Sequence, residues 1–252
     1  MHLYAAIRNV MSKISRIIYI ILAAVLTSCS ADFAPYDTIY DNNVTMGNFI
    51  EGEFITDQGL TYNVLNYSSF DNIDTVKRAM ISCDIVSKVK ESIFNVYLTD
   101  FEDIFTKSPL DSTAVIDQTL FQEDPITLGE IWYSGGYLNM LVSIPVKTGS
   151  TSKHIINLIR NDANPENGTY EFSFKHNANG EVITAGDTDF IQANRYVSFP
   201  ISQLFNENEQ KVKIILKWTS NQENDGKWTH QTMRNKISLD VERIGYEHKH
   251  WE

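Results

Sequence analysis

Alternation of apolar and polar residues, broken by short turn sequences, is the feature that most restricts the fold of this chain. In "GTYEFSFKHNANGE" the aromatic residues Tyr170, Phe172 and Phe174 alternate with polar residues, and Asn179-Gly180 follows as a turn dipeptide. A period of two places alternate side chains on opposite faces of a strand, and Asn-Gly favours a hairpin turn. Most of the chain repeats this pattern with almost no helical period, and we therefore predict an all-β fold.

The strand-like segments fall into two groups, which predicts two domains. The segment "FQEDPITLGE" interrupts the alternation with Glu123, Asp124 and Pro125. We expect a first domain over residues 46–124 and a second over residues 125–252. In the second, "YLNMLVSIPV" is apolar on both faces, as expected for a central strand, and strands at this spacing predict an antiparallel β-sandwich.

The first domain opens with a hairpin pattern. Residues 49–55 and 60–65 are rich in β-formers and flank Asp57, Gln58 and Gly59. In "KRAMISCDIV" alternation predicts that Cys83 is a buried apolar residue and not a nucleophile. The same alternation places Ala79, Ile81, Cys83 and Ile85 on one face and Arg78, Met80, Ser82 and Asp84 on the other.

The amino terminus has the features of a secretory signal over residues 1–28. Arg8, Lys13 and Arg16 precede the apolar run "IIYIILAAVL" at residues 17–26, and no acidic residue occurs before Cys29. Spanning a bilayer takes about 20 apolar residues, so this run is too short for a permanent transmembrane helix. We expect the signal to be cleaved.

The end of the signal, "LTSC", resembles the lipobox of bacterial lipoproteins, and the resemblance implies lipidation of Cys29. Acyl chains contribute about 0.8 kcal/mol per buried methylene and would attach the protein to a lipid bilayer. Residues 29–45 are polar and acidic, which is typical of a flexible tether. The resemblance places the protein in the cell envelope, anchored to the outer membrane and either exposed on the surface or facing the periplasm. An ordinary secreted protein is the alternative.

The charge of the chain argues against a nucleic-acid partner. The formal net charge is −11, and removal of the signal makes it three units more negative. Nucleic-acid binding requires a basic surface or a concentrated basic patch, and the sequence has no basic run. A protein, a peptide or a glycan remains as the partner class.

No motif for nucleophilic, phosphate-binding or metal-dependent catalysis occurs, and we expect neither an enzyme nor a cofactor. Trp132, Tyr133 and Tyr137 bracket Gly135-Gly136, and such an aromatic cluster is a candidate ligand contact for a sugar or a peptide. Packing in the core or between domains is the alternative for these rings, and it is favoured.

Two pairs of histidines and one loop are candidate metal sites. His154 and His176 belong to strands that could be neighbours, but they lack a metal-ligand spacing, so a structural role is favoured. His248 and His250 lie near the carboxyl terminus, and "NDANPENG" at residues 161–168 resembles a calcium loop only in composition. We expect no metal.

The order of these parts resembles the NigD-like lipoproteins of Bacteroidetes. The residues that carry the resemblance are "GNFIEGEFITDQGLTYNV", "DPITLGEIWYSGGYLNMLVSIPV", "HIINLI" and "FSFKHNANGE". The resemblance implies an amino-terminal OB-type barrel followed by a carboxy-terminal β-sandwich, and no enzymatic chemistry. It leaves three roles open: an envelope protein with a binding surface, a bacteriocin immunity or resistance factor, and a glycan-binding accessory lipoprotein.

Overall fold

A computed structural model describes residues 40–113, 117–161, 168–182, 187–224 and 227–242. The fold is all-β, as predicted: a closed barrel is followed by two sheets of a sandwich. The described barrel and sandwich belong to one compact unit. The signal, Cys29, His248 and His250 lie outside the described residues, as do residues 29–39 of the tether and 162–167 of the loop.

The barrel consists of five strands in the order β1-β2-β3-β5-β4, with β4 closing on β1. Only β3 and β5 run parallel, and the other neighbours are antiparallel. This is the connectivity of the OB fold that the resemblance implied. The strands are β1 Tyr40–Ile50, β2 Glu53–Thr56, β3 Thr61–Val64, β4 Arg78–Lys90 and β5 Ile93–Asp103.

Alternation along β4 fills the barrel core. Ala79, Ile81 and Cys83 are fully buried and pack with Phe54 and Leu98. Burial raises the pKa of the Cys83 thiol to about 11, so the thiol stays protonated at neutral pH. The prediction that Cys83 is a buried apolar residue is confirmed.

The first predicted strand, residues 49–55, is wrong because a turn divides it. Ile50 pairs with Glu53 across the two-residue turn Glu51-Gly52, and both turn residues have positive φ, at 52° and 88°. Two consecutive positive φ values define the hairpin turn whose twist suits antiparallel strands. The apolar residues on both sides concealed this turn in the sequence.

The sandwich contains a five-stranded sheet, β14-β13-β11-β10-β7, and a four-stranded sheet, β6-β12-β9-β8. Three pairs are parallel, namely β10 with β7, β11 with β13 and β12 with β6, and the others are antiparallel. The strands are β6 Phe105–Thr106, β7 Leu110–Asp111, β8 Thr127–Ser134, β9 Tyr137–Lys147, β10 Ile155–Arg160, β11 Thr169–Asn177, β12 Phe190–Pro200, β13 Lys211–Asn224 and β14 Lys227–Glu242.

The predicted alternation builds the sandwich core. Tyr170, Phe172 and Phe174 of β11 are buried and face Leu138 and Met140 of the central strand β9. Strands β6 and β7 pair with sandwich strands although they precede residue 125. The sandwich sheets therefore begin earlier in the chain than the boundary expected between residues 124 and 125.

The Asn179-Gly180 turn ends β11 but does not form the predicted hairpin. Both residues have positive φ, at 52° and 82°, yet β11 pairs with β10 and β13 while the next strand, β12, lies in the other sheet. The chain thus crosses between sheets at this point. Asp225 and Gly226 lie outside the described residues, and the strands on either side of them pair antiparallel, with Asn224 opposite Lys227.

Candidate functional site

The three predicted aromatic contacts lie on β8 and β9 around the Gly135-Gly136 turn, and all three are half-buried. The Trp132 ring packs edge-on against Tyr196, with 6.1 Å between centroids, and the Tyr133 ring lies 6.0 Å from that of Phe205. The third ring, that of Tyr137, lies 3.9 Å below the guanidinium of Arg78. Each ring therefore already has a protein neighbour, and ligand contact by these residues stays a prediction.

A buried ion pair between Arg78 and Asp57 is the centre of this region. The Arg78 guanidinium donates to both oxygens of Asp57, at 2.9 and 2.8 Å. Their side chains are only 1% and 2% exposed. Paired N–H···O bonds of this kind fix both distance and orientation. Arg78 begins β4 and Asp57 directly follows β2, so the pair holds two barrel strands together.

The sandwich supplies further partners of the Arg78 guanidinium. Its Nε donates to Ser198 Oγ at 2.9 Å, and one terminal nitrogen donates to Asn139 Oδ1 at 2.9 Å. The Ser198 hydroxyl in turn donates to Asn139 Oδ1 at 2.6 Å. Strands β9 and β12 position these two side chains opposite each other, since Ser198 pairs with Asn139 in the sheet register.

Ser134 completes the network on the Asp57 side. Its hydroxyl donates to Asp57 Oδ2 at 2.5 Å and accepts from Asn139 Nδ2 at 3.0 Å and from Trp132 Nε1 at 3.2 Å. We call Asp57, Arg78, Ser134, Asn139 and Ser198 the junction network. Because its members come from both parts of the fold and are bonded to one another, it joins the barrel to the sandwich.

A second buried polar cluster contains His154, His176 and Glu181. His154 Nδ1 lies 2.9 Å from His176 Nε2, and His154 Nε2 lies 3.0 Å from Glu181 Oε2. His176 Nδ1 contacts the carbonyl oxygens of Asp124 and Pro125, at 3.2 and 3.3 Å. The interpretation of the two histidines as neighbours with a hydrogen-bonding role is confirmed.

The contacts assign the protons in this histidine cluster. His176 Nδ1 faces only carbonyl oxygens and must carry its proton, so His176 Nε2 accepts from His154 Nδ1. A cavity of about 10 Å³ borders the cluster, close to the smallest volume that holds one water molecule.

Burial, followed by the charge of His154, lowers the pKa of His176. The unfolded chain then binds more protons than the folded chain at pH values just below about 6.5. We predict that the free energy of unfolding falls on acidification from neutral pH, by less than about 1.4 kcal/mol per pH unit for this one group. Urea denaturation at several pH values measures the slope. His176→Gln should flatten it, and an unchanged slope in that variant would assign the effect to other groups.

Hydrogen bonds from Ser150 and His154 lower the pKa of Glu181. The stabilisation that the ionised Glu181 carboxylate contributes to the fold is therefore lost only at more acidic pH.

Within the described residues, no group of three or more His, Cys, Asp or Glu side chains could hold a metal ion. No helix in this part of the chain is long and apolar enough to cross a membrane.

The architecture and the junction network define a two-part all-β protein, an OB-type barrel joined to a β-sandwich. Residues 108–232 match the family model of the NigD-like C-terminal beta sandwich domain. The resemblance to the NigD-like family that was inferred from the sequence is confirmed over these residues. No curated protein matches the chain.

Solved structures from Bacteroides share the fold. A NigD-like immunity protein from Bacteroides caccae is 17% identical, with a TM-score of 0.56, over 81% of this chain and 98% of that one. A structure described as "Putative lipoprotein" from Bacteroides fragilis is 12% identical, with a TM-score of 0.60, over 81% and 100% of the two chains. Neither is described as an enzyme.

Proposed function

We propose that this chain is a non-enzymatic, lipid-anchored protein of the cell envelope that presents a binding surface to a partner outside the cytoplasm. The observation that carries the proposal is the junction network. A buried ion pair, bonded to side chains of both parts, links the barrel to the sandwich. Such a link favours binding, because a surface that is already ordered loses little conformational freedom when a partner docks.

The buried titratable groups support a structural and not a catalytic use. Asp57 and Arg78 bond to each other and to polar side chains of the sandwich. His154, His176 and Glu181 bond to one another and to main-chain oxygens. A general acid or base must reach a substrate proton, and these groups point into protein. Function is therefore assigned to the outer surfaces.

The anchor in this proposal is acylated Cys29. The lipobox supports it from the sequence, and the polar tether that follows gives the folded part reach from the bilayer. A palmitate chain among the acyl groups and attachment to the outer membrane belong to the same proposal. The folded part faces either the outside of the cell or the periplasm, and the partner is on the same side.

A bacteriocin immunity or resistance factor is the second candidate. It is favoured by the similarity to the protein from B. caccae, which is described as an immunity protein. Such a factor would bind the toxin at the membrane, so it is a special case of the binding surface proposed above. A glycan-binding accessory lipoprotein, using Trp132, Tyr133 or Tyr137, is the remaining alternative.

The experiment compares the wild-type chain with Cys29→Ala in intact cells. We expect the wild type in the membrane fraction and Cys29→Ala in the soluble fraction, because only the first carries acyl chains. Protease treatment before and after opening the outer membrane separates the two orientations. Retention of Cys29→Ala on membranes at wild-type level would exclude this anchor.

Cross-linking and affinity capture of the wild type then identify the partner. A captured bacteriocin supports the immunity role, a captured polysaccharide supports the glycan role, and a captured envelope protein supports the general proposal. Capture of nothing beyond a heat-denatured control would overturn all three, and substrate turnover by the purified protein would overturn the non-enzymatic assignment.

A further inference from the structure

The two edges of the five-stranded sheet are of very different length. One edge is β7, which has only two residues, and the other is β14, which has sixteen. Short edge strands protect a sheet against unwanted pairing. Within the described ranges no strand pairs with the outer side of β14, so a long row of backbone donors and acceptors borders this sheet.

A basic groove lies beside this edge, on the outer face of the sheet. Its volume is about 370 Å³, and Lys175, Lys217, Arg234 and Lys236 line it together with Glu123. The ion-pair partners of these side chains are Glu123, for Lys175 and Arg234, and Glu171, for Lys217. The groove is therefore positive on a chain whose net charge is −11.

Two of the lysines in the groove face each other directly. Lys217 and Lys236 are paired residues in the β13–β14 register, and like charges in this position are destabilising. Glu171 accepts from Lys217 at 2.5 Å, whereas Lys236 has no carboxylate within 4 Å among the described residues. Glu171 thus compensates only part of the charge of this lysine pair, which indicates a surface that gains stability when an anionic group binds.

The two faces of β14 differ in chemistry. Arg234 and Lys236 point into the basic groove, and Arg234 is 89% exposed. Met233 belongs to the opposite face and is 48% exposed, an apolar side chain left uncovered at the edge. A strand added to β14 would thus meet cations on one face and an apolar side chain on the other, since side chains alternate along a strand.

We infer that β14 is a docking edge for an extended segment of a protein partner whose side chains alternate between acidic and apolar. Main-chain hydrogen bonds to β14 would supply affinity, and pairing of its carboxylates with Arg234 and Lys236 would supply specificity. A second copy of this chain fits poorly, because its own β14 would bring cations against cations. The inference rests on the proposed binding function and adds the site and the chemistry of the partner.

The test measures binding of synthetic peptides to the mature, non-lipidated protein by fluorescence anisotropy. The probe is a peptide of about six residues, a typical strand length, in which Glu and Val alternate. Arg234→Glu/Lys236→Glu should weaken its binding at least about tenfold, because two attractive contacts become repulsive. The matched control is Lys88→Glu/Lys90→Glu, which makes the same charge change on the exposed end of β4 in the barrel.

Three further probes make the result specific. A peptide with Lys in place of Glu should not bind, and N-methylation of alternate backbone nitrogens should abolish binding by removing the donors that strand pairing needs. An oligomer of galacturonic acid tests for an acidic glycan. Equal binding by both double variants, binding unaffected by N-methylation, tighter binding of the oligosaccharide, or no binding of the Glu-Val peptide would each overturn the inference.

The capture experiment separates this inference from the proposed function. If wild type and Arg234→Glu/Lys236→Glu retain the same partner from cells, the binding function stands and the assignment to β14 is wrong. If neither retains a partner, the binding function itself is wrong. Loss of capture only in the β14 variant supports both.

Discussion

Replacing Arg78 with methionine is expected to lower the free energy of unfolding by about 3–5 kcal/mol, the usual cost of breaking a buried ion pair. The substitution leaves the Asp57 carboxylate in a site that is only 2% exposed, with the Ser134 hydroxyl as a donor in place of a cation. It also removes the hydrogen bonds that Arg78 donates to Ser198 Oγ and Asn139 Oδ1. Ser198 and Asn139 keep the hydrogen bond to each other, so these lost bonds add less than the unpaired Asp57 carboxylate.

Guanidinium chloride denaturation of the purified mature chain measures this effect. The double variant Asp57→Asn/Arg78→Met removes both charges and should recover part of the loss, since replacing a whole buried pair costs less than breaking it. Lys90→Met, at an exposed position, should change stability by less than about 0.5 kcal/mol. A similarly small change for Arg78→Met would mean that water enters the junction and replaces the lost contacts.

The position of Arg78 shows what the alternation of apolar and polar residues predicts and what it does not. The sequence pattern placed Arg78 on the face of β4 opposite Ala79 and Ile81, and the structure agrees. That face is nevertheless buried at this point, because Asn139 and Ser198 of the sandwich cover it. Periodicity depends on the local backbone only, whereas burial depends on which distant strand packs there, so the junction network could not be found from the sequence.

The turn sequences also predict local structure but not which strands become neighbours in space. The dipeptide Asn179-Gly180 predicts a turn, and the positive φ values of both residues confirm it. Its side chains do not reveal which strand comes next in space, and the chain crosses to the other sheet instead of folding back. The sequence pattern does not predict the turn at Glu51-Gly52, because apolar β-formers surround it and its glycine is the only signal.

The candidate sites were partly predictable. Neighbouring strands were expected to bring His154 and His176 together, and their rings lie 5.1 Å apart. Glu181, which bonds to His154, was not anticipated, because it follows β11 in a turn where no periodicity operates. The sequence does not predict the groove beside β14 either, since its cations come from three strands, β11, β13 and β14, and form a patch only in the folded sheet.

Gly135 offers the most direct test of how closely barrel and sandwich meet. It has a φ of +56°, and a Cβ built on it would lie 2.2 Å from Asp57 Oδ1. A positive φ alone costs an alanine roughly 1–2 kcal/mol. Because the new methyl group would also push Asp57 away from Arg78, Gly135→Ala should approach the cost of about 3–5 kcal/mol for a broken buried pair.

Gly180 is the matched control, because its φ is +82° and, apart from its chain neighbours, no atom of the described residues lies within 4 Å of a Cβ built on it. Gly180→Ala should therefore show only the cost of the positive φ, and the difference between the two variants measures the contact with Asp57. In an Asp57→Ala background the carboxylate is gone and only the Cβ of residue 57 stays close, at 3.1 Å, so most of the extra cost of Gly135→Ala over Gly180→Ala should disappear, which a double-mutant cycle tests directly. Equal losses from both glycine variants in the wild-type background would show that the turn can move away from the barrel, and that the junction is looser than its hydrogen bonds imply.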